Sequence, residues 1–212
     1  MYNRGILLVV SGFAGSGKGT LMTELTKRYD NYALSVSATT RAPRPGEIDG
    51  KHYFFVTKEK FEEMVDKGEL LEHACYVGNY YGTPKAFVEK QLSEGKDVIL
   101  EIDIQGGLQI KKLMPDALLL FVMPPNVQEI YNRLKKRGTE DEPTIQKRMA
   151  RGREEAELLK QYDFLVVNDD LEECTKRLHY TVQNCKYSIS RNMDFISDIQ
   201  QQFDDFLKNQ EE

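Results

Sequence analysis

The chain has 212 residues, of which 40% are hydrophobic and 30% are charged. That balance is ordinary for a globular protein and excludes a disordered chain. The 29 Lys and Arg and the 34 Asp and Glu give a formal charge of −5, which argues against a general nucleic-acid binder. The longest apolar run, residues 117–123, is far shorter than the roughly 18 residues that a membrane-spanning helix needs. The three cysteines are an odd number and include no CxxC pair. This pattern indicates reduced thiols in a cytoplasmic protein, rather than a disulfide framework or a zinc site.

Apolar runs of strand length alternate along the chain with stretches of helical spacing. Strands are predicted at residues 6–10, 98–102, 118–123 and 164–167. Helices are predicted at residues 21–29, 105–114, 127–137, 144–160 and 171–187. Because strands that alternate with helices pair in parallel, the pattern predicts an α/β fold, with a parallel-sheet core and helices on both faces.

Two segments interrupt this alternation. Residues 35–83 are rich in aromatic and β-branched residues, with short strands predicted at 53–56 and 70–77, and they predict a small, mostly antiparallel lobe inserted into the core. Thr83 is expected to cap a helix that begins at Pro84. The polar stretch 138–143 (GTEDEP) is predicted to be the tip of a mobile lid.

These segments give a predicted division of the chain. The main unit spans residues 1–186, with its core at 1–34 and 84–186, the inserted lobe at 35–83 and the lid at about 138–152. A C-terminal extension, residues 187–212, follows it. A helix is predicted there from the apolar residues Phe195, Ile199, Phe203 and Phe206.

A glycine-rich loop, GFAGSGKGT, follows the first strand directly and opens a helix. The glycines let the backbone curl around an anion with its N–H groups turned inward, and Lys18 can reach the β- and γ-phosphates of a nucleotide. The usual pattern has Ser or Thr after the lysine, whereas this chain has Gly19, so Thr20 is the nearest hydroxyl for the Mg²⁺ shell. The alternative is a glycine-rich turn with a surface lysine. The loop predicts a binding site for a nucleoside triphosphate formed by Gly12, Phe13, Ala14, Gly15, Ser16, Gly17, Lys18, Gly19 and Thr20.

The segment that follows the first predicted helix carries two arginines three residues apart. Arg41 and Arg44 lie in a stretch that Pro43 and Pro45 stiffen. A planar guanidinium suits bidentate binding of a phosphate group, and tyrosine hydroxyls lie nearby in the sequence. An acceptor that carries its own phosphate therefore fits this segment. The alternative is a solvated basic turn.

Five runs in fixed order resemble those of the guanylate kinases, a family of nucleoside-monophosphate kinases. They are SVSATTRAPRPGEIDGKHYFF (35–55), GNYYGTP (78–84), LEIDIQG (100–106), RLKKRGTE (133–140) and VVNDD (166–170). The resemblance implies a P-loop core with a GMP-binding lobe and a lid. It implies that ATP phosphorylates GMP to give ADP and GDP, with dGMP as a further acceptor. The implied setting is purine nucleotide metabolism and the recycling of GMP.

The resemblance also implies residue roles. Guanine offers N–H donors at N1 and N2 and an acceptor at O6, which carboxylates and a hydroxyl can satisfy. By the resemblance, Glu72 and Asp103 take the donors and Ser37 serves O6. The residues implied at the GMP phosphate are Arg41, Arg44, Tyr53, Tyr81 and Thr83.

Phosphoryl transfer needs positive charge around the transferred group rather than a covalent nucleophile. The residues that the resemblance implies in this catalytic role are Lys18, Arg41, Arg137 and Arg148. Asn168 is implied near the adenine of ATP, and Thr20 and Glu101 are implied at Mg²⁺, largely through water. Taken alone, Glu72 fits a surface or strand-edge carboxylate, and Glu101 fits a helix-capping or sheet-edge role. Basic residues on exposed helices usually face water.

Two rival functions remain. A guanylate-kinase-like scaffold domain binds proteins instead of nucleotides, and such domains typically lose the loop lysine and glycines or the lid arginines, which this chain keeps as Lys18, Arg137 and Arg148. The second rival is a kinase for another nucleoside monophosphate, and Ser37, Glu72 and Asp103 argue against it. The predicted partners are GMP and ATP, with no nucleic acid and no membrane, in a cytoplasmic monomer or small homo-oligomer.

Overall fold

The computed structural model describes residues 4–76, 78–138 and 141–210. Its strands are β1 (Leu7–Gly12), β2 (Tyr32–Leu34), β3 (Ala38–Thr39), β4 (Phe54–Phe55), β5 (Leu70–Tyr76), β6 (Asn79–Pro84), β7 (Asp97–Glu101), β8 (Leu118–Met123) and β9 (Phe164–Val167). Its helices are α1 (Lys18–Arg28), α2 (Lys58–Asp66), α3 (Lys85–Ser93), α4 (Ile104–Leu113), α5 (Val127–Arg137), α6 (Glu142–Ala156), α7 (Leu171–Cys185) and α8 (Met193–Lys208). No helix within these ranges has the length and apolar character that crossing a membrane requires.

The larger sheet is parallel throughout, in the order β2-β7-β1-β8-β9. Its central strand β1 is buried on both faces, as the continuous apolar run in the sequence predicts. One face packs against α1 and α7 through residues such as Leu25 and Leu178, and the other packs against α3 and α4 through residues such as Val88 and Ile110. The predicted α/β fold, a parallel sheet between two layers of helices, is confirmed.

A second sheet, in the order β4-β3-β6-β5, forms between residues 38 and 84. The pairs β3/β6 and β5/β6 are antiparallel, and β3/β4 is parallel. Helix α2 lies in the same segment, and the sequence did not predict it. Its only buried residue is Phe61, and Thr57 caps it by accepting a 3.2 Å hydrogen bond from Lys60 N.

The prediction that Thr83 caps a helix beginning at Pro84 is wrong. Strand β6 runs to Pro84, which pairs with Leu70 of β5, and Lys85 N donates a 2.8 Å hydrogen bond to the carbonyl of Glu69. Strand pairing therefore continues two residues further than the Thr-Pro signal suggested. Pro84 takes the cap position, and α3 begins at Lys85.

The sequence predicted a polar turn over residues 138–143, but its last two residues belong to helix α6. Gly138 ends α5 in the left-handed conformation, with a φ of 64°. Helix α6 then begins at Glu142, because Asp141 Oδ1 accepts a 3.0 Å hydrogen bond from Thr144 N and so caps it. Residues 139 and 140 lie outside the described residues.

The predicted helix in the C-terminal extension is present as α8. Its apolar side chains Phe195, Phe203 and Phe206 are exposed in the chain.

Candidate active site

Two cavities lie side by side where β1 and β7 end. The first, of about 370 Å³, is formed mainly by the glycine-rich loop, and we call it the donor cavity. The second, of about 420 Å³, lies between the central sheet, the second sheet and α6, and we call it the acceptor cavity. Gly12, Ala14 and Glu101 line both. The carboxyl end of a parallel sheet is where α/β proteins place their ligands.

The donor cavity is lined by all nine predicted loop residues from Gly12 to Thr20, together with Glu101, Arg133 and Arg137. Lys18 is the first residue of α1, and its Nζ lies 3.4 Å from the carbonyl of Ile102. Burial lowers the pKa of Lys18, and the carboxylates of Glu101, Asp103 and Glu155 act in the opposite direction. The ammonium therefore stands at the base of the cavity, poorly hydrated and ready to bind an anion.

The loop conformation depends on glycine at position 17. Gly17 has a φ of 81°, and a Cβ there would lie 2.5 Å from Nδ2 of Asn168. That amide donates a 2.8 Å hydrogen bond to the carbonyl of Ser16. The structure thus places Asn168, which the resemblance put near adenine, beneath the loop and in contact with its backbone.

Arg133 reinforces the same contact. Its guanidinium reaches the carbonyls of Ser16 at 3.3 Å and Asn168 at 3.1 Å, while Glu129 accepts from its Nε at 2.7 Å. Arg133 therefore ties α5 and the end of β9 to the loop. From the sequence alone, its place one turn before Arg137 indicates only a supporting role for Arg137 and Arg148.

Phe13 is a loop residue whose side chain points away from the cavity. It is buried in a cluster with Ile104, Ile145 and other apolar residues, and its ring meets Phe121 edge to face with centroids 4.8 Å apart. Since Ile145 belongs to α6, Phe13 packs the loop against the core and the start of that helix. Only its backbone can serve a phosphate.

Thr20 and Glu101, the residues implied at Mg²⁺, both line the donor cavity. Within the described residues, no group of three or more His, Cys, Asp or Glu is placed to hold a metal ion. This donor set still fits Mg²⁺ bound with a nucleotide, because that ion usually keeps several waters and takes only one or two protein carboxylates beside the phosphates.

The acceptor cavity gathers five of the predicted GMP-site residues and one lid arginine: Ser37, Tyr53, Glu72, Tyr81, Asp103 and Arg148. Tyr53 and Tyr81 meet at a centroid distance of 6.0 Å. Burial raises the pKa of Tyr53, so its hydroxyl stays protonated and can donate. Arg151 and Glu155 of α6 also line this cavity, and sequence reasoning had given neither a role.

Glu72 is a buried carboxylate on β5 with its two oxygens in different surroundings. Oε1 accepts a 2.7 Å hydrogen bond from Thr83 Oγ1, and both side chains are buried. Oε2 lies beside Gly106, where an added Cβ would be only 3.3 Å from it. Burial raises the pKa of Glu72, Thr83 counteracts that shift, and Asp103 adds to it. Thr83 is thus placed behind Glu72 and lines neither cavity.

Asp103 also divides its two oxygens. Oδ1 accepts a 2.8 Å hydrogen bond from Gly106 N and so caps α4. Oδ2 lies 3.7 Å from a guanidinium nitrogen of Arg151. Each of the two carboxylates therefore has one oxygen held by the protein's own cap or hydroxyl and one that remains for the cavity.

Arg41 is held by Glu47, a residue that sequence reasoning gave no role. Its Nη2 donates to both Glu47 oxygens, at 2.8 and 2.9 Å, and the guanidinium lies over the ring of Tyr53 at 5.4 Å. Glu47 also accepts from Arg44 N at 2.7 Å. The pair raises the pKa of Arg41 and lowers that of Glu47. The side chain of Arg44 is exposed, and neither Arg41 nor Arg44 lines the donor cavity or the acceptor cavity.

The two predicted lid arginines stand at different cavities. Arg137 ends α5 and lines the donor cavity, whereas Arg148 belongs to α6 and lines the acceptor cavity. They therefore flank the wall that the two cavities share.

Comparisons with known proteins agree with this geometry. The profile of the guanylate kinase family matches residues 4–185. The chain belongs to the guanylate kinase family. The guanylate kinase of Clostridioides difficile (strain 630) is 48% identical over 193 residues, which cover 91% of this chain and 94% of that protein. The guanylate kinase of Halalkalibacterium halodurans is 49% identical over 185 residues, which cover 86% and 91%.

A solved structure supports the same family. The crystal structure of guanylate kinase from Anaplasma phagocytophilum matches with a TM-score of 0.72 at 32% identity, and the match covers 89% of this chain and 90% of that one. Guanylate kinase homologues are ATP:GMP phosphotransferases.

The resemblance to guanylate kinases did not point to the contacts that hold the site residues. Glu47 follows Arg41 by six residues, so a local acid-base spacing was available as a signal for that pair. Asp103 and Arg151 are 48 residues apart, and only the fold brings α6 to the end of β7. No sequence pattern indicated that contact.

Proposed function

We propose that this chain transfers the γ-phosphoryl group of ATP to GMP, with ATP in the donor cavity and GMP in the acceptor cavity. One observation carries the assignment of the two cavities. They share the wall of Gly12, Ala14 and Glu101, so nucleotides bound in both would bring their phosphates together. Direct transfer between two bound substrates needs that proximity.

The polar groups of the acceptor cavity suit guanine. Glu72 Oε2 and Asp103 Oδ2 can accept from the N–H donors of guanine, and the Ser37 hydroxyl can donate to O6. Adenine presents an amino group where guanine has O6 and lacks the N1 proton, so it would leave these groups without partners. The base preference is therefore for guanine, and dGMP, which carries the same base, is proposed as a second acceptor.

The transferred group requires positive charge on its equatorial oxygens. Lys18 supplies it from the loop, and Arg137 and Arg148 flank the shared wall. Mg²⁺, bound with ATP near Thr20 and Glu101, would neutralise charge on the phosphates. Arg41, fixed by Glu47 over Tyr53, is proposed to hold the GMP phosphate together with Arg44, Tyr53 and Tyr81.

A lid around residues 138–152 and the lobe at residues 35–83 are proposed to close over the two nucleotides. Helix α6 lies in the lid and carries Arg148, so movement of the helix would deliver that guanidinium to the transferred group. Closure would also exclude water, which could otherwise accept the phosphoryl group.

A coupled assay of ADP release tests this function, with GMP, dGMP, AMP, CMP and UMP offered in turn. Turnover with GMP and dGMP, and little with the other three, is the expected result. Turnover that prefers another monophosphate would contradict the base assignment. No turnover with any of them would instead favour the protein-binding scaffold.

A further inference from the structure

Asp103 has one oxygen that takes no part in capping α4, and that oxygen already faces a cation. The backbone N–H of Gly106, in the first turn of α4, donates a 2.8 Å hydrogen bond to Oδ1, and this bond caps the helix. Oδ2 lies 3.7 Å from Nη2 of Arg151. A base that donates an N–H to Oδ2 must therefore share that oxygen with the guanidinium or replace the guanidinium.

Arg151 is positioned for this contact by its own helix. Glu155, one turn further along α6, accepts a 2.9 Å hydrogen bond from its Nε. Both residues line the acceptor cavity with Glu72 and Asp103. The side chains of Arg151 and Asp103 are 46% and 44% exposed, so the pair is partly hydrated and weak enough to be displaced.

We propose that Arg151 is a displaceable partner of Asp103: it occupies the base-reading oxygen before GMP binds, and guanine releases it. The guanidinium and guanine present the same chemistry to Oδ2, a planar set of N–H donors. A base without those donors cannot replace Arg151 and leaves the pair in place. This inference rests on the proposed function and adds to it a positioning residue that links base recognition to α6.

The link to α6 has a consequence for the lid. Arg148 and Arg151 are three residues apart on that helix and so lie on the same side of it. While Arg151 is paired with Asp103, this contact holds α6 at the carboxyl end of β7 in the larger sheet. Displacement by guanine frees the helix at one point, next to the arginine that is proposed to reach the transferred phosphoryl group.

A double-mutant cycle on GMP binding tests the inference. The Kd for GMP is measured by calorimetry for the full chain and for Arg151→Gln, Asp103→Asn and the combined variant. Arg151→Gln should tighten GMP binding about two- to fivefold, the range expected from removing an exposed ion pair that competes with the ligand. In the Asp103→Asn background the same change should have no effect. The Kd for ATP should not change with Arg151→Gln, and the Tm of the free chain should fall by no more than about 2–4 °C, because the lost ion pair is weak.

Arg153→Gln is the matched control, because it removes a positive charge from the same helix at an exposed position. Equal effects of Arg153→Gln and Arg151→Gln would mean that only overall charge matters and would overturn the inference. So would weaker GMP binding in Arg151→Gln, or a gain that persists without Asp103. A wild-type chain that binds no GMP would contradict the proposed function itself, which is a different outcome from normal GMP binding that Arg151→Gln leaves unchanged.

Discussion

Thr83 Oγ1 donates a 2.7 Å hydrogen bond to Glu72 Oε1, and this contact joins neighbouring strands β5 and β6 beneath the acceptor cavity. It fixes the rotamer of the carboxylate, so that Oε2 stays beside Gly106 and can face a base. Thr83 therefore acts on the acceptor through Glu72. Its predicted place at the GMP phosphate stays untested, but its hydroxyl proton is already engaged here.

Replacing Thr83 by Val should weaken GMP recognition. The change keeps the shape of the side chain but leaves Oε1 of Glu72 buried without a donor, which costs about 1–3 kcal/mol. We expect kcat/KM for GMP to fall about tenfold or more, while the KM for ATP stays close to normal. Thr83→Ser is the control, since it keeps the hydroxyl and should retain most of the activity. Equal losses in both variants would mean that the methyl packing matters rather than the hydrogen bond.

Glu72 gives a pH dependence with a defined sign. Burial raises its folded-state pKa above the ordinary value of 4.5, so the folded state binds more protons than the unfolded state between those two values. The contribution of Glu72 to stability is therefore lost as pH rises through that window. Glu72→Gln removes this loss, so its Tm should exceed that of the wild type at pH 8 and approach it near pH 4.

The same residue should make activity depend on pH in the opposite direction. Because Oε1 already accepts from Thr83, an acid proton would sit on Oε2 and oppose the N–H of guanine, so kcat/KM for GMP should fall as pH drops through the raised pKa. Glu72→Gln should also reduce the GMP:AMP ratio of kcat/KM. A variant that is less stable at pH 8 than the wild type, or that keeps this ratio, would contradict the role given to Glu72.

Lys18→Ala should remove nearly all turnover and leave GMP binding intact. The ammonium lies at the base of the donor cavity, and loss of one preorganised charge at a developing negative charge typically costs a factor of about 10²–10³ in kcat. Steady-state kinetics and calorimetric titration with GMP measure the two effects. Lys27→Ala, at the exposed end of the same helix, is the control and should behave like the wild type. Near-normal turnover in Lys18→Ala would exclude the loop as the phosphate site.

The sequence predicted the central sheet well because its strands are continuous apolar runs with few rival interpretations. It did not predict β2, which has only three residues, or α2, which buries only Phe61. Both are short elements whose formation depends on neighbours that are distant in sequence. Tyr32, for example, pairs with Asp97 across the sheet.

The sequence predicted the contiguous part of the site better than the part that the fold assembles. The loop around Lys18 is contiguous, so its spacing alone indicates phosphate binding. The acceptor cavity is assembled from both sheets and α6, and only the resemblance to a family indicated its residues. The partner of each side chain, such as Glu47 for Arg41 or Thr83 for Glu72, depends on distances that a sequence does not contain.

Gly152→Ala should stabilise the chain without affecting the site. Gly152 lies inside α6, where glycine costs up to about 1 kcal/mol relative to alanine, and an added Cβ would lie 3.6 Å from Phe13, an ordinary contact. We expect the free energy of unfolding to rise by roughly 0.5–1 kcal/mol in urea titrations. Gly106→Ala is the contrast, since its Cβ would lie 3.3 Å from Glu72 Oε2 and should weaken GMP binding. A destabilised Gly152→Ala would show that Phe13 requires that space.

Replacing the arginines at the shared wall should lower kcat, whereas replacing an arginine near the GMP phosphate should weaken GMP binding. Arg137 and Arg148 line different cavities, and the proposed closure of the lid would bring both to the transferred group. Their interaction should then be strongest in the transition state. Replacing either by Ala should lower kcat by about 10²-fold or more, while the Kd values for ATP and GMP change little.

The matched substitutions separate this role from ground-state binding. Lys in place of Arg137 or Arg148 should rescue only part of kcat, because a point charge cannot reproduce the planar fork. Arg44→Ala should instead raise the Kd for GMP, since its proposed partner is a phosphate already present before transfer. Arg153→Ala, exposed on α6, is the control. If Arg137→Ala and Arg148→Ala weaken nucleotide binding and leave kcat intact, these arginines hold the ground state and lid closure does not deliver them to the transferred group.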